Sequence, residues 1–357
     1  MKQAKLFSLI ICLGLTSPAF CEIPDGYYDS SFGKKKNVLK TAMKEIIYEH
    51  TQLTYKELWT AFISTDNKGN NVVWDMYSEG NSKEYTYHYT DDQCGNYNKE
   101  GDCYNREHSF PKSWFNNDYP MYTDLFHLYP TDGSVNGMRS NFPFGEVKTP
   151  TKTSLNGSKL GPCSYPGYTG TVFEPIDQFK GDFARTYFYM VTCYEDKISG
   201  WSSAMLDGKK YPGYTTWAIN MLMEWSRKDP VSQKEINRND SVYIIQGNRN
   251  PYIDYPQLAE YVWGDSVMFA FYPGKTPTLF DTPETITPTV YAWEGQVVIR
   301  DAEQGSQIRV YNPLGQLINQ SLVQSTEFPV SLPENKLYIL ILSAPTGNTY
   351  SYKIIIQ

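Results

Sequence analysis

The chain is poor in the features that mark several common classes of protein. It has four histidines and six cysteines in 357 residues, and no two cysteines show C-x-x-C spacing, which disfavours a zinc site. Its apolar run at residues 6–15 is too short to span a bilayer. The net charge of −7 means that the chain lacks the global positive field of a typical nucleic-acid-binding protein. A polyanionic ligand would need a metal ion and a local basic patch.

The N-terminal residues have the pattern of an export signal. Lys2 and Lys5 precede the apolar run LFSLIICLGL, and the small residues of TSPAFC follow it. This basic, apolar, small-residue order is typical of a secretory leader. We expect residues 1–21 to be removed after Cys21, which would leave a net charge of −9. Acylation of Cys21 in a lipoprotein is the weaker alternative, because Phe20 stands where a small residue is required.

Export to an oxidising compartment favours disulfides among the remaining cysteines. Cys94 and Cys103 lie close together in CGNYNKEGDC, and we predict that they close a small loop. Pairing of Cys163 with Cys193 then follows only by elimination. A metal site built from all four is the alternative, which the lack of C-x-x-C spacing disfavours.

Hydrophobic patterning predicts an α+β fold, mostly helical, for the larger part of the chain. Steps of three and four residues indicate helices in NVLKTAMKEIIYEH, YKELWTAFI, DQFKGDFARTYFYMVTCYEDK, TTWAINMLMEWSRKDP and PQLAEYVWG. In the first, Val38 and Leu39 are expected on the buried face. The run NNVVWDMYS predicts a strand, with EYTYHYT as a possible partner. Residues 92–175 are rich in Gly, Pro, Asn and Tyr, and such irregular backbone commonly carries function or is tied by disulfides.

The composition changes near residue 274. Residues 274–288 are rich in proline and threonine and lack periodicity, which predicts a linker between a catalytic domain at 22–273 and a smaller domain at 289–357. The smaller segment contains the short β-rich runs QVVIR, QIRVYN, QLINQ, FPVSL, LYILIL and SYKIII, separated by turn signals. This pattern predicts a small β-sandwich. The segment has neither histidine nor cysteine, which argues against catalysis there.

The chemically distinctive stretch is CYNREHSFPKSWF at residues 103–115, which places Arg106, Glu107 and His108 in succession. A carboxylate is a hard ligand suited to Mg²⁺ or Ca²⁺, and a neutral histidine beside it can take a proton from water. Hydrolysis of a phosphodiester uses both a cation and a base. Neighbouring residues of a regular strand face opposite sides, so we expect the triplet at a strand end or bend. Taken alone, such a triplet more often marks a surface charge cluster.

A second stretch, DLFHLYPTDGSVNGMRSN at residues 124–141, favours an active site over a surface charge cluster. Asn136 lies 28 residues after His108 and offers an amide oxygen. An acid–histidine pair on a hairpin, followed by an asparagine on the next helix, is the layout of a ββα-metal nuclease site. Arg139 could hold a phosphate, with a structural salt bridge as the equally supported alternative. His127 is expected to be structural.

Four blocks together resemble the bacterial endonuclease I family: NREHSFPKSWF, DLFHLYPTDGSVNGMRSN, ARTYFYM and VYIIQGNRNPYIDYPQL. The resemblance covers about residues 30–265 and implies an exported, metal-dependent endonuclease that hydrolyses DNA without sequence specificity, with RNA as a further substrate. Contacts with nucleic acid would be made mainly through phosphates. By the same resemblance, Glu107 and Asn136 would hold Mg²⁺, with Ca²⁺ or Mn²⁺ as alternatives, and His108 would be the general base.

The resemblance says less about the roles of Arg185, the QGNRNP segment and the residue that stabilises the departing oxygen. Arg185 lies on the aromatic stripe ARTYFYM, most of which is expected to be core, and we predict that its side chain reaches the cleft as a catalytic cation. QGNRNP, residues 246–251, is expected to brace the site through hydrogen bonds rather than touch substrate. The departing oxygen could be stabilised by Lys112, Arg139 or Arg185, and the sequence leaves this choice open.

The C-terminal runs IRVYNPLGQLI, KLYILIL and YKIII resemble the sorting domains of the type IX secretion system. This resemblance implies export across an outer membrane and contact with the secretion machinery, with a surface-binding sandwich as the alternative. For the whole chain, the abundant aromatic and acidic residues also fit a secreted glycoside hydrolase, which would give Asn136 and His108 no role. A surface-binding protein is the third interpretation, and it predicts that Glu107, His108 and Asn136 are dispersed in space.

Overall fold

The computed structural model describes residues 22–79, 87–274, 288–293, 296–325, 327–333, 336–345 and 349–356. It divides into two compact units, Met1–Leu279 and Phe280–Gln357. The expected leader and nearly all of the expected linker lie outside the described residues, so both stay predictions. Within the described ranges, no helix is long and apolar enough to cross a membrane.

The first unit is an α+β domain, which confirms the predicted fold class. Its helices are α1 (Lys36–Ile47), α2 (Leu58–Thr65), α3 (Gly133–Arg139), α4 (Lys180–Cys193), α5 (Thr216–Lys228), α6 (Gln233–Gln246), α7 (Pro251–Asp254) and α8 (Leu258–Val262). Strands β1 (Tyr104–His108) and β2 (Leu128–Asp132) form an antiparallel pair. A separate three-stranded sheet contains β3 (Lys152–Thr153), β4 (Lys159–Pro162) and β5 (Thr171–Glu174).

Helix α4 is the centre of the core of this unit. Every residue of α4 after Lys180 is buried, and the helix packs against α1 and α5. A helix that is buried all round occupies the interior of a large domain. The partner helix α1 buries Leu39, Met43 and Ile47 at four-residue steps. Val38, which was expected on this face, is 54% exposed.

One predicted hairpin is reduced to isolated bridges within the described residues. The run NNVVWDMYS bridges from Val73 to Asn67 and to Tyr89, and residues 84–86 of its expected partner lie outside the described residues. The carboxylate of Asp75 accepts hydrogen bonds from the backbone N–H groups of Tyr77 and Ser78. Such local bonds favour a turn over a continuing strand ladder.

Strands β1 and β2 and helix α3 form a compact ββα unit. Glu107 pairs with Tyr129 and His108 with Leu128 in the antiparallel register. Asp132 ends β2 and caps α3, since its Oδ1 accepts a hydrogen bond from the Val135 N–H at 2.9 Å. The helix therefore begins directly after the strand.

A disulfide between Cys94 and Cys103 confirms the first predicted pairing and ties the loop before β1 to the ββα unit. Cys103 immediately precedes β1, and its carbonyl accepts a hydrogen bond from the Gly133 N–H at 2.9 Å. A Cβ atom at Gly133 would lie 2.4 Å from the Cys94 Sγ. The absence of a side chain at Gly133 thus lets the disulfide rest on the first residue of α3.

The second predicted pairing is wrong, because Cys163 and Cys193 are both free thiols. Cys193 is buried at the end of α4, where its Sγ lies 3.7 Å from the Ile47 carbonyl oxygen. The Sγ of Cys163 instead lies 3.8 Å from the carbonyl oxygen of Tyr165.

The second unit is all-β, in agreement with the predicted sandwich. Its strands are β6 (Thr289–Trp293), β7 (Gln296–Arg300), β8 (Gln307–Tyr311), β9 (Leu317–Leu322), β10 (Glu327–Ser331), β11 (Lys336–Ser343) and β12 (Thr349–Ile356). They form sheets of order β10-β7-β6 and β12-β11-β8-β9. Val297 and Ile299 of the first sheet share a core with Ile308, Val310 and Leu340 of the second.

The disulfide provides a test of the fold. Replacing Cys94 and Cys103 by serine should lower the free energy of unfolding by about 2–3 kcal/mol, because the unfolded chain regains the entropy of a short loop. Urea denaturation of the full chain measures this change. Cys163→Ser, which removes a free thiol, is the control and should cost less than about 1 kcal/mol. Equal losses in the two variants would contradict the assignment.

Candidate active site

A cavity of about 410 Å³ opens at the end of β1. Its lining includes Glu107, His108, Asn136 and Arg139, which are four of the five side chains predicted from the sequence, together with Arg106 and Lys112. The expectation of a surface-binding protein, that Glu107, His108 and Asn136 are dispersed, is therefore not met.

Glu107 and His108 line the cavity at the point where strand β1 ends. Strand β1 ends at His108, and the next residue, Ser109, donates its N–H to the His127 carbonyl oxygen at 2.9 Å. Pro111 then precedes a 3-10 helix at Lys112–Phe115, and Pro111 and Lys112 also line the cavity. The triplet thus occupies the last three positions of the strand, the strand end that was predicted for it.

Glu107 is a buried carboxylate with one oxygen held by the protein. The Tyr77 hydroxyl and the Arg139 Nη1 both donate to Oε1, each at 2.6 Å. Among the described residues, no hydrogen bond ends on Oε2. Burial raises the pKa of Glu107 above its ordinary value, whereas Arg139 and Tyr77 act in the opposite direction. The site therefore fixes the orientation of this carboxylate and leaves one oxygen available to a ligand.

Arg139 positions Glu107 and the end of β1. Its Nη1 also donates to the His108 carbonyl oxygen at 2.8 Å, and its Nη2 donates to the Ser109 carbonyl oxygen at 2.5 Å. The side chain is only 1% exposed. Because both terminal nitrogens are directed at protein oxygens, Arg139 fits the structural salt bridge better than the alternative of a phosphate-binding residue.

His108 is held as a neutral imidazole. Its Nε2 lies 3.0 Å from the Tyr122 carbonyl oxygen, and since a carbonyl only accepts, Nε2 carries the proton and Nδ1 keeps a lone pair. The ring stacks on Tyr122 and Tyr55, with ring centroids 5.1 and 6.1 Å away. Burial is the main cause that lowers the pKa of His108 well below 6.5, and His127 adds to it.

Asn136 offers a second free oxygen to the cavity. Its Nδ2 donates to the Thr131 Oγ1 at 3.3 Å, and no hydrogen bond within the described part of the chain ends on its Oδ1. The Oε2 of Glu107 and this Oδ1 are hard oxygen donors of the kind that bind Mg²⁺. The described ranges contain no group of three or more His, Cys, Asp or Glu side chains placed to hold a metal. The pair fits an ion such as Mg²⁺ whose other ligands are water and phosphate.

Arg185 does not reach the cavity, which corrects its prediction as a catalytic cation. Its Nε and Nη2 donate to the two carboxylate oxygens of Glu235 at 2.5 and 2.7 Å. Its Nη1 donates to the Asp229 carbonyl oxygen at 2.8 Å. The guanidinium is buried, and its three nitrogens all donate to acceptors on α6 or on the segment before it. The role of Arg185 is therefore structural.

The QGNRNP segment braces the site from behind, as expected. The Gln246 Oε1 accepts from the Leu125 N–H at 2.6 Å, and its Nε2 donates to Asp124 at 3.1 Å. His127, which was expected to be structural, is fully buried and its Nε2 donates to the Met121 carbonyl oxygen at 2.6 Å. Its ring centroid lies 5.5 Å from that of His108.

Tyr55, Tyr77 and Tyr122 are site residues that the sequence did not reveal. Tyr77 lies 30 residues before Glu107, and Tyr55 lies in the segment before α2. Tyrosine is common in this chain, with 30 copies, so no local signal separates these three from core tyrosines.

Comparison with known proteins gives one family. The profile of the family described as Endonuclease I matches residues 35–257. An extracellular ribonuclease of Bacillus subtilis is 35% identical over 247 residues, which is 67% of this chain and 78% of the relative. An endonuclease-1 of Buchnera aphidicola is 35% identical over 132 residues, 37% of this chain and 46% of the relative. An extracellular deoxyribonuclease of Aeromonas hydrophila is 30% identical over 138 residues, 38% of this chain and 50% of the relative.

A solved structure of PorZ, a surface component of the type IX secretion system of Porphyromonas gingivalis, also aligns with part of the chain. It covers 19% of this chain and 11% of PorZ, with 15% identity and a TM-score of 0.17. A similarity this low supports no argument about fold or function.

The two buried arginine–glutamate pairs predict large stability changes. Arg139→Met and Arg185→Met each leave a buried glutamate without its partner, so each should lower the free energy of unfolding by about 3–5 kcal/mol. Arg227→Met breaks the exposed pair with Glu260 and should cost less than about 1 kcal/mol. Urea denaturation compares the three, and an Arg139 variant as stable as the Arg227 variant would contradict the assigned role.

Proposed function

The chain belongs to the endonuclease I family of nucleases, and we propose that the cavity at the end of β1 is the active site of an exported, metal-dependent endonuclease. The observation that carries this proposal is that Glu107, His108 and Asn136 line a single cavity. These three residues supply two hard oxygen ligands and a base, which are the parts that phosphodiester hydrolysis uses.

Glu107 and Asn136 are the proposed metal ligands, through Oε2 and Oδ1. A bound Mg²⁺ would neutralise the negative charge that develops on the phosphate oxygens. The protein's part is to keep both donors in place. Tyr77 and Arg139 hold the other oxygen of Glu107, and Thr131 holds the amide nitrogen of Asn136.

His108 is the proposed general base. Its Nδ1 would take a proton from the attacking water, while the Nε2–H donates to the Tyr122 carbonyl oxygen and fixes the ring. The water oxygen forms a bond to phosphorus as the bond from phosphorus to the departing oxygen breaks. The stacked rings of Tyr55 and Tyr122 keep the imidazole from turning away from the cavity.

Lys112 is the proposed partner of the departing oxygen. It lines the cavity, it is exposed, and no carboxylate within the described residues lies within 4 Å of its Nζ. Arg139 and Arg185, the other candidates, are committed to Glu107 and Glu235. A lysine near the departing oxygen would offset its developing charge and can supply its proton.

Nucleic acid is the proposed substrate, bound mainly through its phosphates and without sequence preference. Relatives include an extracellular ribonuclease and an extracellular deoxyribonuclease, so we propose that both DNA and RNA are cleaved. The same relatives support export through the leader at residues 1–21. We propose that the C-terminal sandwich serves as a type IX secretion signal on the strength of its sequence resemblance alone.

A glycoside hydrolase is less consistent with the cavity. That reaction uses two carboxyl groups on either side of the scissile bond. In the described part of the chain, Glu107 is the one carboxylate that lines the cavity, and it is paired with Arg139.

Plasmid nicking tests the proposed reaction. The mature protein should nick supercoiled plasmid with Mg²⁺ and lose this activity in EDTA. His108→Ala should lower the rate by about 10²–10⁴-fold, the usual contribution of a general base. His88→Ala is the matched control, because His88 is exposed and lies outside the cavity lining. If His108→Ala nicks plasmid as fast as the wild type, His108 is not the general base. If the wild type nicks no plasmid with any divalent ion, the proposed nuclease function is wrong.

Metal binding tests the role of Asn136 independently of activity. Titration calorimetry with Mn²⁺ should show at least about tenfold weaker binding to Asn136→Ala, because one of two protein ligands is lost. Asn136→Asp should retain binding, since a carboxylate also supplies an oxygen. Asn141→Ala, which alters another amide of the cavity lining, should bind like the wild type. Equal affinity in all the variants would exclude Asn136 as a ligand.

A further inference from the structure

Arg106 is clamped between two aromatic rings beside the active site. Its Cζ lies 3.6 Å from the ring centroid of Tyr55 and 4.2 Å from that of Trp59. Trp59 lies in the first turn of α2, and Tyr55 lies in the turn that precedes this helix. The Arg106 Nη1 also donates to the Tyr55 carbonyl oxygen at 2.6 Å. These contacts hold the guanidinium in one orientation at the cavity wall.

Arg106 differs from the other arginines of the first unit in having no acidic partner. Each of the other five has a carboxylate oxygen within 4 Å, and they are Arg139, Arg185, Arg227, Arg238 and Arg249. Over the described ranges, no carboxylate lies within 4 Å of Arg106. The chain has 39 acidic residues against 32 basic ones, so a clamped guanidinium kept away from carboxylates is available to an anion from outside.

Arg106 also differs from the structural Arg185 in the hydrogen bonds that its guanidinium makes. Its Nη1 donates to the Tyr55 carbonyl oxygen, and no hydrogen bond in the described residues involves its Nη2. All three guanidinium nitrogens of the structural Arg185 donate to Glu235 or to the Asp229 carbonyl oxygen. The Nη2 of Arg106 is therefore a donor that can bind a phosphate oxygen beside the active site.

The position of Arg106 indicates which phosphate it would hold. Arg106 and His108 are alternate residues of β1, so they face the same side of the strand and lie about 7 Å apart along it. One phosphate group does not span that distance. A phosphodiester chain that places its scissile phosphate at His108 would place a neighbouring phosphate near Arg106.

We propose that Arg106, clamped by Tyr55 and Trp59, binds the phosphate next to the scissile one and so makes the enzyme favour polymeric over short substrates. This inference rests on the proposed function, because it needs a phosphodiester at His108. The clamp removes conformational freedom from the arginine before substrate arrives, so less entropy is lost on binding.

The test measures binding of a fluorescein-labelled single-stranded thymidine oligonucleotide to the full chain with Mg²⁺, using fluorescence anisotropy at several salt concentrations. The His108→Ala background prevents cleavage. Loss of one phosphate contact should reduce the slope of log K against log salt by about 0.7. Arg106→Gln should show this reduction and about tenfold weaker binding. Arg106→Lys should keep the slope and lose part of the affinity, because it keeps the charge and loses the fork.

Two controls separate a local contact from other effects. Lys209→Gln removes the same charge at an exposed residue outside the cavity lining and should leave slope and affinity unchanged. Trp59→Leu keeps the charge and removes one face of the clamp, so it should keep the slope and weaken binding. Circular dichroism checks that each variant is folded.

Each outcome decides the proposal. An unchanged slope in a folded Arg106→Gln, or the same loss in Lys209→Gln, would overturn the phosphate contact. Unfolding of both Arg106→Gln and Arg106→Lys would also overturn it, since the residue would then be structural. Failure of the proposed nuclease function gives a result that differs from all of these. The wild type would then nick no plasmid, and the His108→Ala protein that carries the further substitutions would bind no oligonucleotide.

Discussion

The buried ion pair between Arg139 and Glu107 is the interaction on which the site depends. Arg139 is the last residue of α3, and its guanidinium reaches across to the final residues of β1. One side chain therefore fixes the distance between the strand that carries Glu107 and His108 and the helix that carries Asn136. It also offsets the cost of burying a carboxylate. Without it, the geometry and the charge of the proposed metal site would change together.

Asp124, in the segment between β1 and β2, is the centre of a second buried polar network. Asp124 accepts hydrogen bonds from the hydroxyl groups of Tyr189 and Tyr194 at 2.8 and 2.6 Å and from Gln246 at 3.1 Å. Such a network ties the segment between β1 and β2 to α4 and α6. A satisfied buried network rigidifies a core, and a rigid support keeps catalytic groups in place before the substrate binds.

Local signals predicted much of the fold and most of the proposed site residues that line the cavity, and long-range contacts explain the errors. The periodicity of α1 and α5, the Cys94–Cys103 loop and the β-rich C-terminal unit were all readable from neighbouring residues. The role of Arg185 was not, because its partner Glu235 is 50 residues away. Helix α6 was missed although Ser232 and Glu235 form a capping box at its start.

The ring of Tyr55 contacts both the proposed base and the proposed phosphate-binding residue, since it stacks on His108 and on Arg106. With the proposed roles of His108 and Arg106, turnover and substrate affinity would both depend on the position of this one ring. A substitution that repacks this ring would displace the His108 imidazole and the Arg106 guanidinium together, so the effects of substitutions at these residues are not expected to add. A substitution that changes the turnover rate through this ring is expected to change substrate affinity as well. Improved variants would need compensating changes around both His108 and Arg106.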